Sequence, residues 1–206
     1  VSKTKFVEYG DLNRPLGDLP HGFWVYDVGL DIFLKYLIDA AQASEQANTA
    51  WLSSAISEWR LACIPDYGLT LDASWSSEQR QTFCVLAEDA CARLEARESI
   101  PAEEIVSWPI LDDLRIFTRG ADEVFTAPIV ELGRAIIALV SGQLPEAPEG
   151  QIWLYGAPEG RMTIGWNKPA AQPPIFAPAS GSDNRKFRGI FSSLSTVGKL
   201  LSRFRR

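Results

Sequence analysis

Residues 151–166 read Gln-Ile-Trp-Leu-Tyr-Gly-Ala-Pro-Glu-Gly-Arg-Met-Thr-Ile-Gly-Trp. Ile152 and Leu154 alternate before the break, and Met162, Ile164 and Trp166 alternate after it, the period-2 pattern of half-buried strands. Between them, Ala157-Pro158-Glu159-Gly160 puts proline second and glycine fourth, which suits a tight turn. The stretch predicts a β-hairpin over about 151–166. It is the clearest β signal in a chain whose other strong patterns are helical. Together they predict an α+β class: an α-rich single domain of about four helices with a small antiparallel sheet.

Working back from the hairpin, Ile129, Leu132, Gly133, Ile136 and Val140 make one face of a helix over about 128–141. Pro128 suits its first turn and Gly142 its C-terminal cap. Phe83, Leu86, Ala87, Ala90, Cys91 and Leu94 define another over about 78–97, with Ser76 and Gln79 spaced as a capping box. Leu52, Ala55, Ile56, Trp59 and Cys63 predict a helix over about 49–63. Val28, Ile32, Tyr36 and Ala40 predict one over about 25–44, with Asp27 and Asp31 in its dipole-favoured first turns. Residues 66–72 read as a short strand or a connector. Ile105–Trp108 and Leu114–Phe117 read as short strands. The first twenty residues are polar and broken by Gly10, Pro15, Gly17 and Pro20, so they read as an arm or an irregular lead-in.

Beyond the hairpin the composition changes. Residues 169–185 hold four prolines and then Ser-Gly-Ser-Asp, the make-up of a linker. Residues 186–206 regain helical spacing through Phe187, Ile190, Phe191, Leu194, Val197, Leu201 and Phe204, flanked by Lys186, Arg188, Lys199, Arg203, Arg205 and Arg206. The expected organisation is a globular domain over 1–168, a linker, and a basic amphipathic helix. Residues 169–206 carry seven basic side chains against Asp183 alone, a net of +6, leaving −12 on residues 1–168 out of a whole-chain −6. Such asymmetry bears on partners rather than on fold. The tail has the chemistry of a helix that lies in an anionic membrane surface, or contacts another anionic partner. Docking onto the acidic body or onto a second copy is the competing expectation. Specific nucleic-acid reading is not expected, because no recognition motif accompanies the charge.

Chemistry is constrained by scarcity. The chain has one histidine, His21, and three cysteines, none forming a C-x-x-C pair. Cys84 and Cys91 lie two helical turns apart, too far for one disulfide. Cysteine–histidine metal sites need more ligands than these. Glu103-Glu104 and Asp112-Asp113 read as solvated charge, since adjacent residues do not face one another. Neither phosphate-loop nor dinucleotide glycine fingerprints occur. No catalytic residue, metal site or cofactor is therefore assigned. The N-terminus lacks the apolar core of a signal peptide, and no run approaches the roughly 20 apolar residues of a spanning helix. Val1 fits a removed initiator methionine, a fragment boundary or a GTG start.

These features lead to an expectation of a cytoplasmic bacterial protein, non-enzymatic, that binds a protein partner. Its concrete form is an immunity- or antitoxin-like inhibitor using an acidic, aromatic surface to cover a basic toxin. Trp153, Tyr155 and Trp166 on the hairpin are the candidate partner contacts, because large aromatics anchor interfaces as well as cores. Two alternatives stand: a peripheral membrane adaptor tethered by the 186–206 helix, and a hydrolase using carboxylates or His21.

Overall fold

The computed structural model describes residues 3–10, 21–109 and 115–165. Among these, five helices accompany a five-stranded sheet and a separate two-stranded one, so the class is α+β. The elements are β1 (Thr4–Gly10), β2 (Gly22–Tyr26), α1 (Asp27–Ala43), α2 (Ala50–Ala62), β3 (Leu69–Asp72) and α3 (Ser77–Glu95). They continue with β4 (Ser99–Pro101), α4 (Ala102–Ser107), β5 (Glu123–Phe125), α5 (Ala127–Val140), β6 (Gln151–Tyr155) and β7 (Met162–Gly165).

The main sheet runs β3-β1-β2-β6-β7 and is mixed. β1 pairs antiparallel with β2, placing Val7 opposite Phe23, and parallel with β3, placing Val7 opposite Leu69. β2 pairs parallel with β6, and β6 antiparallel with β7. Val7, Phe23, Val25, Leu69 and Leu71 are buried on one face. Phe6 and Trp24, paired across β1 and β2, lie on the other, their rings 5.2 Å apart and edge to face.

The helical layer explains its own sequence. α1 is apolar through most of its circumference, with Val28 to Leu34 buried without interruption, and it packs against α2, α3 and α5. A helix buried on several sides needs no single stripe. α3 buries the residues of its expected stripe, while α2 buries Ala62 in addition to its own, and α5 adds Val130, Ala135 and Leu139. Ser76 accepts from the Gln79 amide while the Gln79 side chain accepts from the Ser76 amide, completing the capping box. Trp59, Phe23, Phe33 and Phe83 are the largest fully buried side chains. Each stabilises the fold by roughly 1.5–3 kcal/mol relative to exposure.

Several expectations are corrected. Residues 11–20 of the expected N-terminal arm lie outside the described residues, but residues 4–10 are no arm: they form a strand with partners on both edges. Its polarity is deceptive because Lys5, at an inward position, is buried with a carboxylate partner. The first helix begins at Asp27, since 22–26 is strand, and the Asp27 carboxylate in its first turn accepts from the Val28 amide at 2.8 Å. Residues 105–108 are not a strand, because 102–107 is a helical turn-and-a-half with Ile105 as its one buried side chain. Glu103 and Glu104 stand at its dipole-favoured N-terminus. Residues 115–117 have no regular structure, and Leu114 lies outside the described residues. The 66–72 stretch contains the strand β3. The hairpin forms as expected over 151–165, with the Gly160 amide donating to the Ala157 carbonyl at 2.8 Å across the turn. The 169–185 linker and the 186–206 helix lie outside the described residues, as does Trp166. Among the described residues, no helix is long and apolar enough to cross a membrane.

Candidate partner-binding site

Four separated segments meet at the N-terminal ends of α1 and α5. The small sheet brings them there: β4 and β5 pair antiparallel with Ile100 opposite Val124. Thr126, buried where α5 begins, donates its hydroxyl to the carbonyls of Arg97 and Glu98, and its amide donates to Glu98 at 3.1 Å. This ties the start of α5 to the segment between α3 and β4. On the other side, α1 approaches the β6–β7 turn so closely that a Cβ on Gly29 would lie 2.9 Å from the Gly156 carbonyl oxygen. Gly156 itself has φ +74°, a left-handed conformation that glycine adopts without steric cost.

The space between these segments is an apolar slot of about 200 Å³. Val28, Val124, Phe125, Pro128, Ile129 and Pro158 wall it, and the bare backbone of Gly29 and Gly156 contributes the rest of one side. Its outer wall is the turn at Thr118–Ala121. There Arg119 adopts φ 57° and Gly120 φ 82°, an unusual pair for a segment with a long side chain at the first position. The Arg119 guanidinium holds the turn down by bonding both carboxylate oxygens of Asp27, one of them at 3.1 Å. That hydrogen bonding pushes the Arg119 pKa up from its ordinary value. Burial, then the neighbouring Asp27 carboxylate, raises the Tyr26 phenol beside it.

Phe125, Pro128 and Pro158 also line a second, broader concavity of about 740 Å³, so the slot opens directly onto a groove. The groove is rich in charge. Arg97 forms a two-pronged pair with Glu104 at 2.5 and 2.7 Å, Arg134 pairs with Glu95, and Arg161 approaches Glu131 at 3.7 Å. The Arg97 bond holds the Glu104 carboxyl below its usual range. With its cations engaged, the groove is left with Glu98 and Glu159, exposed and making no ion pair among the described residues. Phe125 is 52% exposed between slot and groove, and Phe117 is 72% exposed on the segment leading to the slot wall. Exposed aromatics of this size beside a concavity are a mark of interaction surfaces.

The structure places the hairpin aromatics differently. Tyr155 is buried with its ring 4.9 Å from Phe23. Trp153 is half-buried, donates its indole N–H to the Pro145 carbonyl at 2.8 Å, and carries the Arg161 guanidinium 4.8 Å above its ring. Trp166 and the tail residues from Lys186 to Arg206 lie outside the described residues. His21 is exposed ahead of β2 and lines a depression of about 620 Å³ together with Cys84 and Ser141. Its ring makes no hydrogen bond to a described residue, whereas the Cys84 thiol lies 3.9 Å from the Ser141 hydroxyl. Burial pushes the Cys84 thiol up, away from the thiolate form a nucleophile needs. All three cysteines are free.

Sequence reasoning missed the slot because its residues come from near positions 28, 119, 125, 128 and 157, with no local pattern linking them. The available signal was Phe117 and Phe125 in a stretch without apolar period, where burial has no reason to claim them. No family model matches the chain, and no curated protein or solved structure matches it either.

Proposed function

We propose that the protein is a non-enzymatic interaction module that binds a basic protein partner at this face. A bulky apolar side chain of the partner enters the slot, and lysines or arginines beside it meet Glu98 and Glu159. The observation that carries the reading is the enclosed apolar slot opening onto a groove whose unpaired charges are acidic. Interfaces concentrate affinity in one or a few anchors seated in desolvated pockets, while surrounding charges set orientation and association rate. A net charge of −12 over residues 1–168 acts in the same sense. An inhibitor of the immunity or antitoxin kind, covering the basic cleft of a toxin, is the concrete form.

The test is a peptide array in which a central Leu, Phe or Trp is flanked by Lys or Arg, probed with the full chain. Binding is expected to need both the anchor and the cations. Ala121 is exposed at the slot wall, so Ala121→Phe plugs the mouth without entering the core. Loss of an anchor contact worth about 2 kcal/mol weakens binding roughly thirtyfold. Equal binding of peptides with alanine at the anchor position, or of the Ala121→Phe variant at unchanged melting temperature, would overturn the reading.

A further inference from the structure

A further concavity lies at the far edge of the main sheet, between α2, β3 and the start of α3, and holds about 500 Å³. We infer that it is a binding site for an organic cation, a guanidinium or alkylammonium group. This inference does not rest on the slot.

The walls are aromatic by construction. Trp51, Ala55, Glu58 and Ala62 follow the helical spacing that puts them along one face of α2, with Glu58 about two turns beyond Trp51. Trp75, in the connection from β3 to α3, packs edge to face on Trp51 with ring centres 5.8 Å apart. It also touches Phe83 at 5.3 Å, and Phe83 in turn meets Trp59 at 5.8 Å. Trp59 is only 1% exposed and forms part of the lining from within the core. Tyr67, at 59% exposure, stands at the rim after the left-handed residue Asp66. Three indoles and a phenol thus surround one space.

Charge gives the site its sign. The ionisable lining comprises two carboxylates, Glu58 and Asp72, and no lysine, arginine or histidine. Asp72 is held in place by the Ser74 amide and hydroxyl, each donating at 2.8 Å, which leaves its negative charge uncompensated by a cation. Glu58 is exposed and forms no ion pair with a described residue. Arg80 is nearby, but its guanidinium donates to the Trp75 carbonyl at 2.9 Å and to the Ser77 hydroxyl, and it does not line the space. Asp27, Asp39, Asp89, Glu95, Glu104 and Glu131 each have an arginine or lysine within 4 Å, whereas Glu58 and Asp72 have none among the described residues. Here the complementary charge is left to come from outside.

Aromatic faces carry negative potential and attract cations, most strongly when tryptophan and tyrosine supply the rings. Carboxylates in the same wall add charge-assisted hydrogen bonds to an N–H-bearing cation. An anionic ligand is repelled by both. A hard divalent ion needs several converging oxygens, and no group of three or more metal-binding side chains occurs among the described residues. An organic cation satisfies rings and carboxylates together, whether it is carried on a lysine or arginine of a protein or arrives as a free small molecule.

The experiment titrates the full chain with N-acetyl-arginine amide, tetramethylammonium and N-acetyl-citrulline amide, following tryptophan fluorescence, since Trp51 and Trp75 line the site. The same guanidinium within the peptide Gly-Gly-Arg-Gly-Gly forms the second arm. Saturable quenching by the cations, and none by the neutral citrulline analogue, is expected. Tighter binding of the peptide assigns the cation to a protein, and tighter binding of the free compounds assigns it to a small molecule. Glu58→Gln and Tyr67→Ala, both at exposed positions, are each expected to weaken binding at least fivefold at unchanged melting temperature. Ala121→Phe at the slot leaves it unaltered, which separates this site from the one above. Citrulline binding as well as arginine, no saturation with any cation, or full affinity in both site variants would overturn the inference.

Discussion

Lys5 and Asp31 are the residues through which the sheet and the helices are joined by a buried hydrogen bond. Lys5 donates to Asp31 Oδ1 at 2.6 Å and to the carbonyl of Ala62 at 2.8 Å, and both side chains are buried. The second bond places the ammonium at the C-terminal end of α2, where the helix dipole favours a cation. Burial is the largest influence on Asp31 and pushes its carboxyl up to about 7, against the opposing pull of Lys5. The folded chain therefore keeps, between about pH 4 and 7, a proton that the unfolded chain has released near 3.9. Proton uptake by the native state in that window means stability falls as pH rises through it. The fall is at most on the order of 1.4 kcal/mol per pH unit for one group. Denaturant unfolding of the wild type and Asp31→Asn from pH 4.5 to 7.5 checks this: the wild-type-minus-variant stability should decline with pH. Parallel curves would refute it.

At the scale of elements, α1, α3 and α5 meet where one side chain is missing. A Cβ on Gly133 of α5 would lie 2.5 Å from the Cys91 sulfur of α3 and 2.5 Å from a ring carbon of Phe33 on α1. Alanine there gains about 1 kcal/mol of helix propensity. Overpacking a close-packed core costs roughly 1–3 kcal/mol, and Phe33 is fully buried with little room to turn. The packing term wins, so Gly133→Ala is expected to lower the unfolding midpoint. A stabilised variant would show that the helices can separate without penalty. α2, α3 and α5 were legible from spacing alone, because apolar residues recur at helical spacing in each. β1 was not: Lys5 at an inward position breaks its alternation, and only the distant Asp31 explains why a charge belongs there. β4 and β5 are three residues each, too short to show a period. α4 was hidden because Ile105 and Val106 are β-branched, a strand preference that six helical residues overrode. The slot and the cation pocket escaped for a related reason, since each is assembled from segments that only the fold brings together.

For the molecule as a whole, the uneven charge makes a kinetic statement. Approach of a basic partner to residues 1–168 is accelerated by their −12, and the full chain at −6 attracts it less. Screening shortens the range of that attraction to about 10 Å at 0.1 M salt and about 3 Å at 1 M. Stopped-flow association of an anchor-plus-arginine peptide is thus expected to slow at least tenfold between 50 mM and 500 mM salt, with dissociation nearly constant. Truncation after residue 168 should raise the low-salt rate. Association insensitive to both salt and truncation would mean that long-range charge plays no part in recognition.

The strand order also dictates a sequence of events during synthesis. β1, β2 and β3 all lie within the first 72 residues and can pair with one another early. β2 is completed only by β6, which begins at Gln151. Until that point a ribosome-bound chain carries a row of open backbone donors and acceptors along β2, the kind of template on which strands of other molecules add. The nascent protein thus keeps this template exposed until the 151–165 hairpin emerges to cover β2.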